Sequence, residues 1–432
     1  MSREMENSGI DWVGMIPNNW KTVRIKNVLN ERSEKNSPIK SNVILSLMRD
    51  EGVILYDEKG DVGNRAKEDL SKYKLAFKED IVMNSMNVII GSVNKSPYDG
   101  VVSPVYHVLY PKNNSYDVDY INYLFQTTEF QESLKGIGNG ILAHRMRIPM
   151  NKLNNVVLPI PELYVQKTIV DHLNETTSLI NNIIQETKYS MEELKKYKQS
   201  IITEAVTKGI EPNVKMKDSG IEVIGKVNSN YSIIPLGYLG SLQNGISKSG
   251  DYFGEGYPFV SYGDVYKNRV LPFSVKGLIR STKEEQEQYS VRKGDIFFTR
   301  TSEIIEEVGM ASVCLNNIEQ ATFAGFLIRF RPNENNQLLS KYARYYLEAT
   351  FIRDFFAKEM NLVTRASLSQ PLLKKLPIIL PSVNEQQKIV SYLDTQSNRI
   401  DALISDKEKV IKELEQYKKS LIYEYVTGKK EV

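Results

Sequence analysis

The chain carries one long helical segment twice, and this repeat constrains the fold more than any other feature. Residues 165–207 align with residues 385–427 at a constant offset of 220, and 15 of the 43 aligned positions are identical. Chance alone would give about three identities at typical residue frequencies. Repetition at a fixed spacing indicates repeated architecture. We therefore predict two copies of one unit, each a globular segment followed by a long helix.

The repeat extends into the globular segments, where its offset drifts. Ser8-Gly9-Ile10 matches Ser219-Gly220-Ile221 at an offset of 211, and Lys78-Glu79-Asp80 matches Lys293-Gly294-Asp295 at 215. The offset reaches 220 where the helices begin. The second copy has therefore gained nine residues in its globular part, while the helices have gained none. Because Glu79 stands where the second copy has Gly294, we expect that turn to differ between the copies.

The globular segments carry a mixed pattern. Runs of β-branched and aromatic residues bounded by Gly, Asn and Pro predict strands at 42–47, 80–83, 88–93 and 101–110, and at 258–262, 295–299, 309–315 and 324–330. Apolar residues spaced by three and four predict helices over 120–134 and 341–358. We predict an α+β fold, with globular domains at 1–157 and 213–377 and helical regions at 158–212 and 378–432.

The repeated helices share an apolar seam with a period near 3.5, which is typical of a coiled coil. At about 1.5 Å per residue each helix would be a rod of about 64 Å. We expect the two seams to pack antiparallel on each other; the alternative is that each helix packs only on its own domain. The seam positions are Ile169, Leu173, Ile180, Ile184, Met191, Leu194, Ile201 and Ala205, and Ile389, Leu393, Ile400, Ile404, Ile411, Leu414, Leu421 and Tyr425.

The connections between the copies are nearly equal in length. Twelve residues lead from Thr207 to Ser219, and the five residues after Thr427 plus the eight up to Ser8 total 13. The two ends of the sequence together therefore have nearly the length of the central linker and could connect the two copies in the same way. We predict a circular organisation, with the ends close together.

Composition indicates a cytoplasmic protein. The single cysteine, Cys314, rules out an internal disulfide and fits a reducing compartment. No apolar run approaches the 18 or so residues of a membrane span, and the N-terminal residues do not resemble a signal peptide. The net charge of +3 permits nucleic-acid binding without indicating it.

Catalytic motifs are missing from the sequence. The three histidines, His107, His144 and His172, are isolated and lack the spacing of a zinc site. There is no phosphate-binding P-loop and no tetrapeptide of the amino-methyltransferase type. Gly136–Gly140 is more typical of a flexible loop than of a phosphate cradle. We predict a non-catalytic binder and spacer, with no metal or cofactor on this chain.

Several motifs in order, each present twice, resemble the specificity subunit of type I restriction-modification systems over almost the whole chain. Ser8–Pro17 with Trp20 looks like that family's N-terminal motif, with a second copy at Ser219–Gly225. A Pro-x4-Gln-x2-Ile-Val-x2-Leu pattern occurs at Pro161–Leu173 and Pro381–Leu393. Each copy ends in a Tyr-Lys-x-Ser pattern, at Tyr197 and at Tyr417.

The resemblance implies that the globular domains are target recognition domains on double-stranded DNA, each reading half of a bipartite, asymmetric site. The helices would set the spacing and hold two methyltransferase subunits and, through them, motor-nuclease (restriction) subunits. S-adenosylmethionine would be bound by the methyltransferase, which methylates an adenine in each half-site. A second hypothesis is a free-standing DNA-binding or scaffold protein with a coiled-coil dimer interface; an autonomous methyltransferase is disfavoured by the missing motifs.

Candidate DNA-contacting residues are those able to read bases, with Arg suited to guanine and Asn to adenine. In the first copy they are Asn84, Ser85, Asn87, His144, Arg145 and Arg147, and in the second Tyr262, Arg300, Thr301, Ser302, Thr364 and Arg365. The paired Arg145 and Arg365 fit a shared phosphate contact better than a base contact. Candidates for docking the methyltransferase are identical in both copies and lie mostly off the seam: Gln166, Tyr197, Glu204, Gln386, Tyr417 and Glu424. Solvated or structural roles are the alternative for every one of these residues.

Overall fold

The structure is a computed structural model that describes residues 3–49, 51–60, 65–139, 146–302, 307–333, 335, 337–359 and 366–432. The chain divides into two compact units. Unit 1 comprises Met1–Thr187 and Glu408–Val432, and unit 2 comprises Lys188–Lys407. Each unit therefore takes a part of both repeated helices. The domain boundaries predicted at 157, 212 and 377 divide the chain differently and stay predictions.

Unit 1 is built from short strands and helices. The strands are β1 (Met5–Asn7), β2 (Met15–Pro17), β3 (Lys21–Arg24), β4 (Leu29–Glu31), β5 (Leu45–Met48), β6 (Gly52–Leu55), β7 (Lys74–Ala76), β8 (Ile81–Asn84), β9 (Val93–Lys95), β10 (Gly100–Val102), β11 (Tyr106–Pro111) and β12 (Val157–Ile160). The helices are α1 (Ile25–Val28), α2 (Val118–Gln126), α3 (Thr128–Ser133), α4 (Met150–Leu153) and the start of the long α5 (Leu163–Lys208).

The main sheet of unit 1 has four strands in the order β4-β11-β8-β9, all antiparallel. One face of this sheet lies against α2. Its residues Ile81, Met83 and Leu109 share a hydrophobic core with Leu124 and Phe125 of that helix. The opposite face joins a smaller apolar cluster around Val82 and Val108. Burial on both faces explains why β8 reads as a continuous apolar run.

Unit 2 repeats this order of elements with more strands. They are β13 (Met216–Asp218), β14 (Lys226–Asn228), β15 (Ser232–Pro235), β16 (Gly240–Asn244), β17 (Phe253–Val260), β18 (Gly277–Ile279), β19 (Ile296–Thr299), β20 (Thr301–Ser302), β21 (Ala311–Val313), β22 (Thr322–Phe323), β23 (Leu327–Pro332), β24 (Ala366–Ser367) and β25 (Pro377–Leu380). The helices are α6 (Leu236–Leu239), α7 (Tyr262–Lys267), α8 (Lys283–Gln288), α9 (Ser340–Tyr346), α10 (Thr350–Glu359), α11 (Gln370–Lys374) and the start of the long α12 (Val383–Val426).

The main sheet of unit 2 has the order β16-β23-β19-β21, which matches unit 1 strand for strand. Its core gathers Phe298 and Phe330 with Tyr342 and Tyr346 of α9. A second sheet, β18-β17-β22, encloses a further core around Phe259, Phe297 and Phe323. The fold thus confirms the predicted pair of related α+β domains.

The long helices pack antiparallel within each unit. In unit 1 the His172 ring lies 4.7 Å from the Tyr425 ring, and Lys418 Nζ donates to Asn181 Oδ1 at 2.9 Å. In unit 2 Lys198 Nζ pairs with Asp401 Oδ2 at 2.7 Å. All sixteen seam residues are buried or half-buried. The predicted coiled-coil pairing is therefore confirmed, and the alternative of two unpaired amphipathic helices is wrong.

The ends of the sequence meet in unit 1. Tyr423 Oη, near the end of α12, donates to the Trp12 carbonyl at 2.9 Å, and Lys429 Nζ donates to the Val13 carbonyl. In unit 2 the equivalent position is an unbroken connection, where the Asn228 side chain donates to the Lys208 carbonyl at 2.9 Å. The predicted closeness of the two ends is confirmed.

Several predicted elements differ in the structure. The strand predicted at 88–93 is a 3-10 turn at Val88–Ile90 that ends at Gly91, whose φ of 99° reverses the chain before β9. The helix predicted over 120–134 is α2 and α3, because Thr127 caps the second one: its Oγ1 accepts from the Phe130 N–H at 3.3 Å. The helix predicted over 341–358 is likewise divided into α9 and α10.

The Lys-x-Asp turn that precedes β8 and β19 has the same conformation in both units. Asp80 Oδ2 accepts from the Phe77 N–H and Asp295 Oδ2 accepts from the Arg292 N–H, each at 2.8 Å. The residue between has a left-handed φ in both units, 75° at Glu79 and 98° at Gly294. The expectation that the turn differs is wrong. The hydrogen bond to the aspartate side chain fixes the turn in both units, and Glu79 adopts the left-handed φ although its side chain disfavours it.

Glu79→Gly should therefore stabilise the protein, and Gly294→Ala should destabilise it by a similar amount. A side chain in the left-handed region costs roughly 1–2 kcal/mol of stability. Glu79→Gly also removes the half-exposed ion pair between Glu79 and Lys95, but the loss of this pair reduces the gain in stability by less than about 1 kcal/mol. Thermal unfolding of the two variants beside the parent chain measures both shifts. Equal shifts of the same sign would contradict a shared left-handed turn.

Candidate nucleic-acid interface

In unit 2 three chain segments meet at the carboxyl end of β19. Thr301 and Ser302 form β20, which pairs antiparallel with Ser367 and Ala366 of β24. The Arg300 carbonyl accepts from the Leu368 N–H at 2.7 Å, and the Arg300 N–H donates to the Phe326 carbonyl at 3.0 Å. We name Arg300–Ser302, the turn Ala324–Leu327 and Ala366–Leu368 together edge 2.

Unit 1 builds the corresponding edge with the same backbone contact. The Ser85 carbonyl, just after β8, accepts from the Ile148 N–H at 2.8 Å. Ser85 precedes Arg300 by 215 residues and Ile148 precedes Leu368 by 220, which are the offsets of the sequence repeat. The turn Ser103–Tyr106 stands where edge 2 has Ala324–Leu327, and each is closed by a bond from its fourth N–H to its first carbonyl. We name Asn84–Asn87, this turn and Arg147–Ile148 edge 1.

His107 fastens edge 1 to the main sheet. Its Nε2 lies 2.9 Å from the Ile148 carbonyl, and its Nδ1 lies 3.2 Å from Glu31 Oε1. Both partners accept hydrogen bonds, so each ring nitrogen that carries a proton can donate to the oxygen that it faces. The hydrogen bond from His107, and a second from Lys74, hold the pKa of Glu31 below its usual range against the opposing effect of burial.

The predicted residues of unit 1 fall into three groups. Asn84 and Asn87 are half-buried within edge 1, and Arg147 is exposed there. Ser85 is fully buried and its Oγ donates to the Val105 carbonyl at 2.7 Å, so its predicted role as a DNA contact is corrected to a structural one. His144 and Arg145 lie outside the described residues.

The described candidates of unit 2 lie in edge 2 or next to it. Arg300 and Thr301 are half-buried, and among the described residues the Arg300 guanidinium has no hydrogen-bonding partner. Tyr262 begins α7 directly after β17, whose Val260 carbonyl accepts from the Ala324 N–H at 3.0 Å. Ser302 lies in β20. Thr364 and Arg365 lie outside the described residues.

Sequence reasoning missed an apolar component of both edges. Phe326 of edge 2 is 66% exposed, and Met86 of edge 1 is 41% exposed. A search for residues that hydrogen-bond to bases ignores apolar types. The available signal was the Ala-Gly-Phe sequence at 324–326, where glycine marks a tight turn and the phenylalanine follows at its tip.

The two glutamines proposed as docking residues are fully buried. Gln166 Oε1 accepts from the Asp117 N–H at 2.8 Å, and Gln386 Oε1 accepts from the Leu339 N–H at 2.9 Å. Each amide nitrogen donates to two carbonyls: Ser115 and Pro161 for Gln166, and Gln337 and Pro381 for Gln386. These contacts tie the start of each long helix to its globular domain, which corrects the docking interpretation.

The other docking candidates lie at the surface of the long helices. Tyr197 is 59% exposed and Tyr417 is 51% exposed, each at the same position of its helix. Glu204 is exposed and pairs with Lys208 at 2.9 Å, whereas Glu424 is half-buried. Their role in docking stays a prediction.

The part of the chain that the structure describes contains no group of three or more His, Cys, Asp or Glu arranged to hold a metal ion. The single thiol, Cys314, is buried, and burial raises its pKa to about 11. Across those same residues, no helix combines the length and apolar character needed to cross a membrane.

A family model described as the type I restriction modification DNA specificity domain matches residues 17–192 and again 229–413. The chain belongs to this family. It is a specificity subunit of a type I restriction-modification system, with one family domain in each half of the sequence.

Named relatives agree with this assignment. The chain is 25% identical over 441 residues to the putative type I restriction enzyme MjaX specificity subunit of Methanocaldococcus jannaschii, with 96% of this chain and 95% of that protein covered. It is 21% identical to the EcoKI specificity subunit of Escherichia coli K12, over 65% of this chain and 60% of that protein.

Solved structures share the fold at low sequence identity. A chain from a type I restriction-modification system, studied for complex assembly and conformational transition, superposes with a TM-score of 0.71 at 16% identity, covering 95% of this chain and 98% of that one. The HsdS subunit from Thermoanaerobacter tengcongensis gives a TM-score of 0.53 at 16% identity, over 96% and 98% of the two chains.

Gln386→Met should destabilise the chain by about 1–3 kcal/mol, because it removes a buried amide that is the acceptor of the half-buried Leu339 N–H. The adjacent exposed Gln387 supplies the control, since Gln387→Met should change stability by less than about 0.5 kcal/mol. Denaturant unfolding of the two variants measures the difference. If Gln386→Met instead weakened assembly with the methyltransferase at unchanged stability, the structural role would be wrong.

Proposed function

We propose that edge 1 and edge 2 each read one half of a bipartite, asymmetric DNA site. The observation that supports this most strongly is the equivalence of the two edges: the same backbone bond, at the repeat offsets, presents different side chains. A reader duplicated in this way recognises two separate sequences. Since the residues at equivalent positions differ, the two half-sites should differ too.

The side chains at each edge match different base chemistry. Edge 1 offers Asn84, Asn87 and Arg147, and edge 2 offers Arg300 and Thr301. Asparagine bonds to adenine through N6 and N7, and arginine bonds to guanine through O6 and N7, both in the major groove. Arg300 is the best-supported base reader. Its half-buried position limits its conformations, and among the described residues its guanidinium has no hydrogen-bonding partner.

The catalytic steps belong to partner subunits in this proposal. Two methyltransferase subunits would dock on the two long helices, carry S-adenosylmethionine and methylate an adenine in each half-site, and restriction subunits would join through them. Tyr197 and Tyr417, exposed at equivalent helix positions, support two equivalent docking surfaces. The alternative of a free-standing protein that dimerises through its coiled coil is disfavoured, because the seams are covered by the chain's own helices.

Methylation-sensitive sequencing of a host expressing this chain with its cognate methyltransferase tests the proposal. We expect methylated adenines in one split motif, with two unlike halves separated by a fixed number of unread bases. A continuous motif, a palindrome, or no motif from an intact complex would overturn it.

Arg300→Ala should relax one half of that motif and leave the other half unchanged. A bidentate arginine contact contributes about 1–3 kcal/mol of discrimination against the wrong base, so affinity for the parent site should fall by roughly 5- to 150-fold. Arg147→Ala is the matched variant in edge 1 and should affect only the other half. The readout is the methylated motif of each variant, and changes in the same half-site from both would contradict two independent edges.

A further inference from the structure

Phe326 occupies the tip of a tight turn at edge 2. The turn Ala324–Leu327 is closed by the Leu327 N–H, which donates to the Ala324 carbonyl at 2.9 Å. Gly325 and Phe326 are its two central residues, and Phe326 is 66% exposed. A large apolar side chain at a turn tip cannot be explained by packing within its own domain.

The turn is held rigidly by neighbouring segments. The Ala324 N–H donates to Val260, the Gly325 N–H donates to the Ile246 carbonyl at 2.8 Å, and the Phe326 carbonyl accepts from Arg300. A Cβ at Gly325 would lie 2.2 Å from Ser247 Oγ, so the glycine lets the turn close against this segment. The aromatic ring is therefore exposed on a backbone that is already fixed, which lowers the entropy cost of a contact.

Unit 1 uses the equivalent turn differently. There Pro104 and Val105 stand at the central positions, and Val105 is half-buried with its carbonyl bonded to the Ser85 hydroxyl. The exposed ring is thus specific to edge 2. It also lies next to Arg300, since the backbones of the two residues are bonded directly.

We propose that Phe326 stacks on a base of the half-site read by edge 2, an inference that rests on the proposed DNA-reading function. A base that stacks on an aromatic ring must separate from its neighbour in the duplex, and the energy of this deformation depends on the sequence deformed. Arg300 would read a base edge by hydrogen bonds, while Phe326 selects a neighbouring step by its deformability. Edge 1, without such a ring, would read its half-site on a less distorted duplex.

The test measures binding of the intact complex of this chain with its methyltransferase to a duplex carrying its mapped site. Base–aromatic stacking contributes about 1–3 kcal/mol, so Phe326→Ala should weaken binding by roughly 5- to 150-fold. Phe326→Trp should retain affinity. Because the residue is exposed, neither change should alter thermal stability.

A double-mutant cycle identifies the base. Removing the stacked base to leave an abasic position should weaken DNA binding by the parent complex. The same removal should hardly weaken DNA binding by the Phe326→Ala complex, because the free-energy changes caused by removing two groups in contact are not additive. Base removal in the other half-site should affect both complexes equally. Tyr238→Ala supplies the control, because Tyr238 is 78% exposed just before β16 at the opposite end of the sheet, and it should leave affinity unchanged.

Three outcomes would overturn the inference. Phe326→Ala binding within about twofold of the parent complex would show that the ring makes no significant contact. Loss of the methyltransferase from the complex, with DNA binding restored at high subunit concentration, would make Phe326 a protein-docking residue. A parent complex without any site-specific DNA binding would overturn the proposed function together with this inference, whereas the first two outcomes leave the proposed function intact.

Discussion

The last turn of each long helix closes the core of a recognition domain, and the rest of the architecture depends on this contact. In unit 1 Tyr120 Oη donates to the Val426 carbonyl at 2.8 Å. In unit 2 Tyr342 Oη donates to the Ile379 carbonyl at 2.9 Å and lies 3.5 Å from the Val206 carbonyl. The final carbonyls of a helix lack partners within the helix, and a buried tyrosine hydroxyl needs an acceptor. Burial raises the pKa of both tyrosines, so each keeps the proton that it donates.

Apolar burial accompanies this polar contact. Leu421, Ile422 and Val426 lie in the core of unit 1, and each such side chain contributes about 1.5–3 kcal/mol when it is fully buried. Unit 1 is therefore incomplete without residues 408–432. Because antiparallel partners must match in length, this pairing also explains why the repeat offset stays at 220 along the helices while it drifts from 211 in the globular segments.

The repeat and the seam predicted the architecture because both follow directly from side-chain periodicity. Residue roles were harder to predict, since identity between two copies indicates a shared requirement without indicating which one. Gln166 and Gln386 are identical because both copies need the same buried amide, and Ser85 is polar because the Val105 carbonyl needs a donor. Phe326 was missed for the converse reason: its position is informative only once the turn that carries it is known.

Hydrogen-exchange mass spectrometry of a chain lacking Glu408–Val432 tests the central claim most directly. We expect the amides of β8, β11 and α2 in unit 1 to lose their protection, while β19, β23 and α9 in unit 2 retain theirs. Exchange in unit 1 as slow as in the full chain would show that its core is complete without the end of α12, and would contradict a circular organisation in which each recognition domain depends on both long helices.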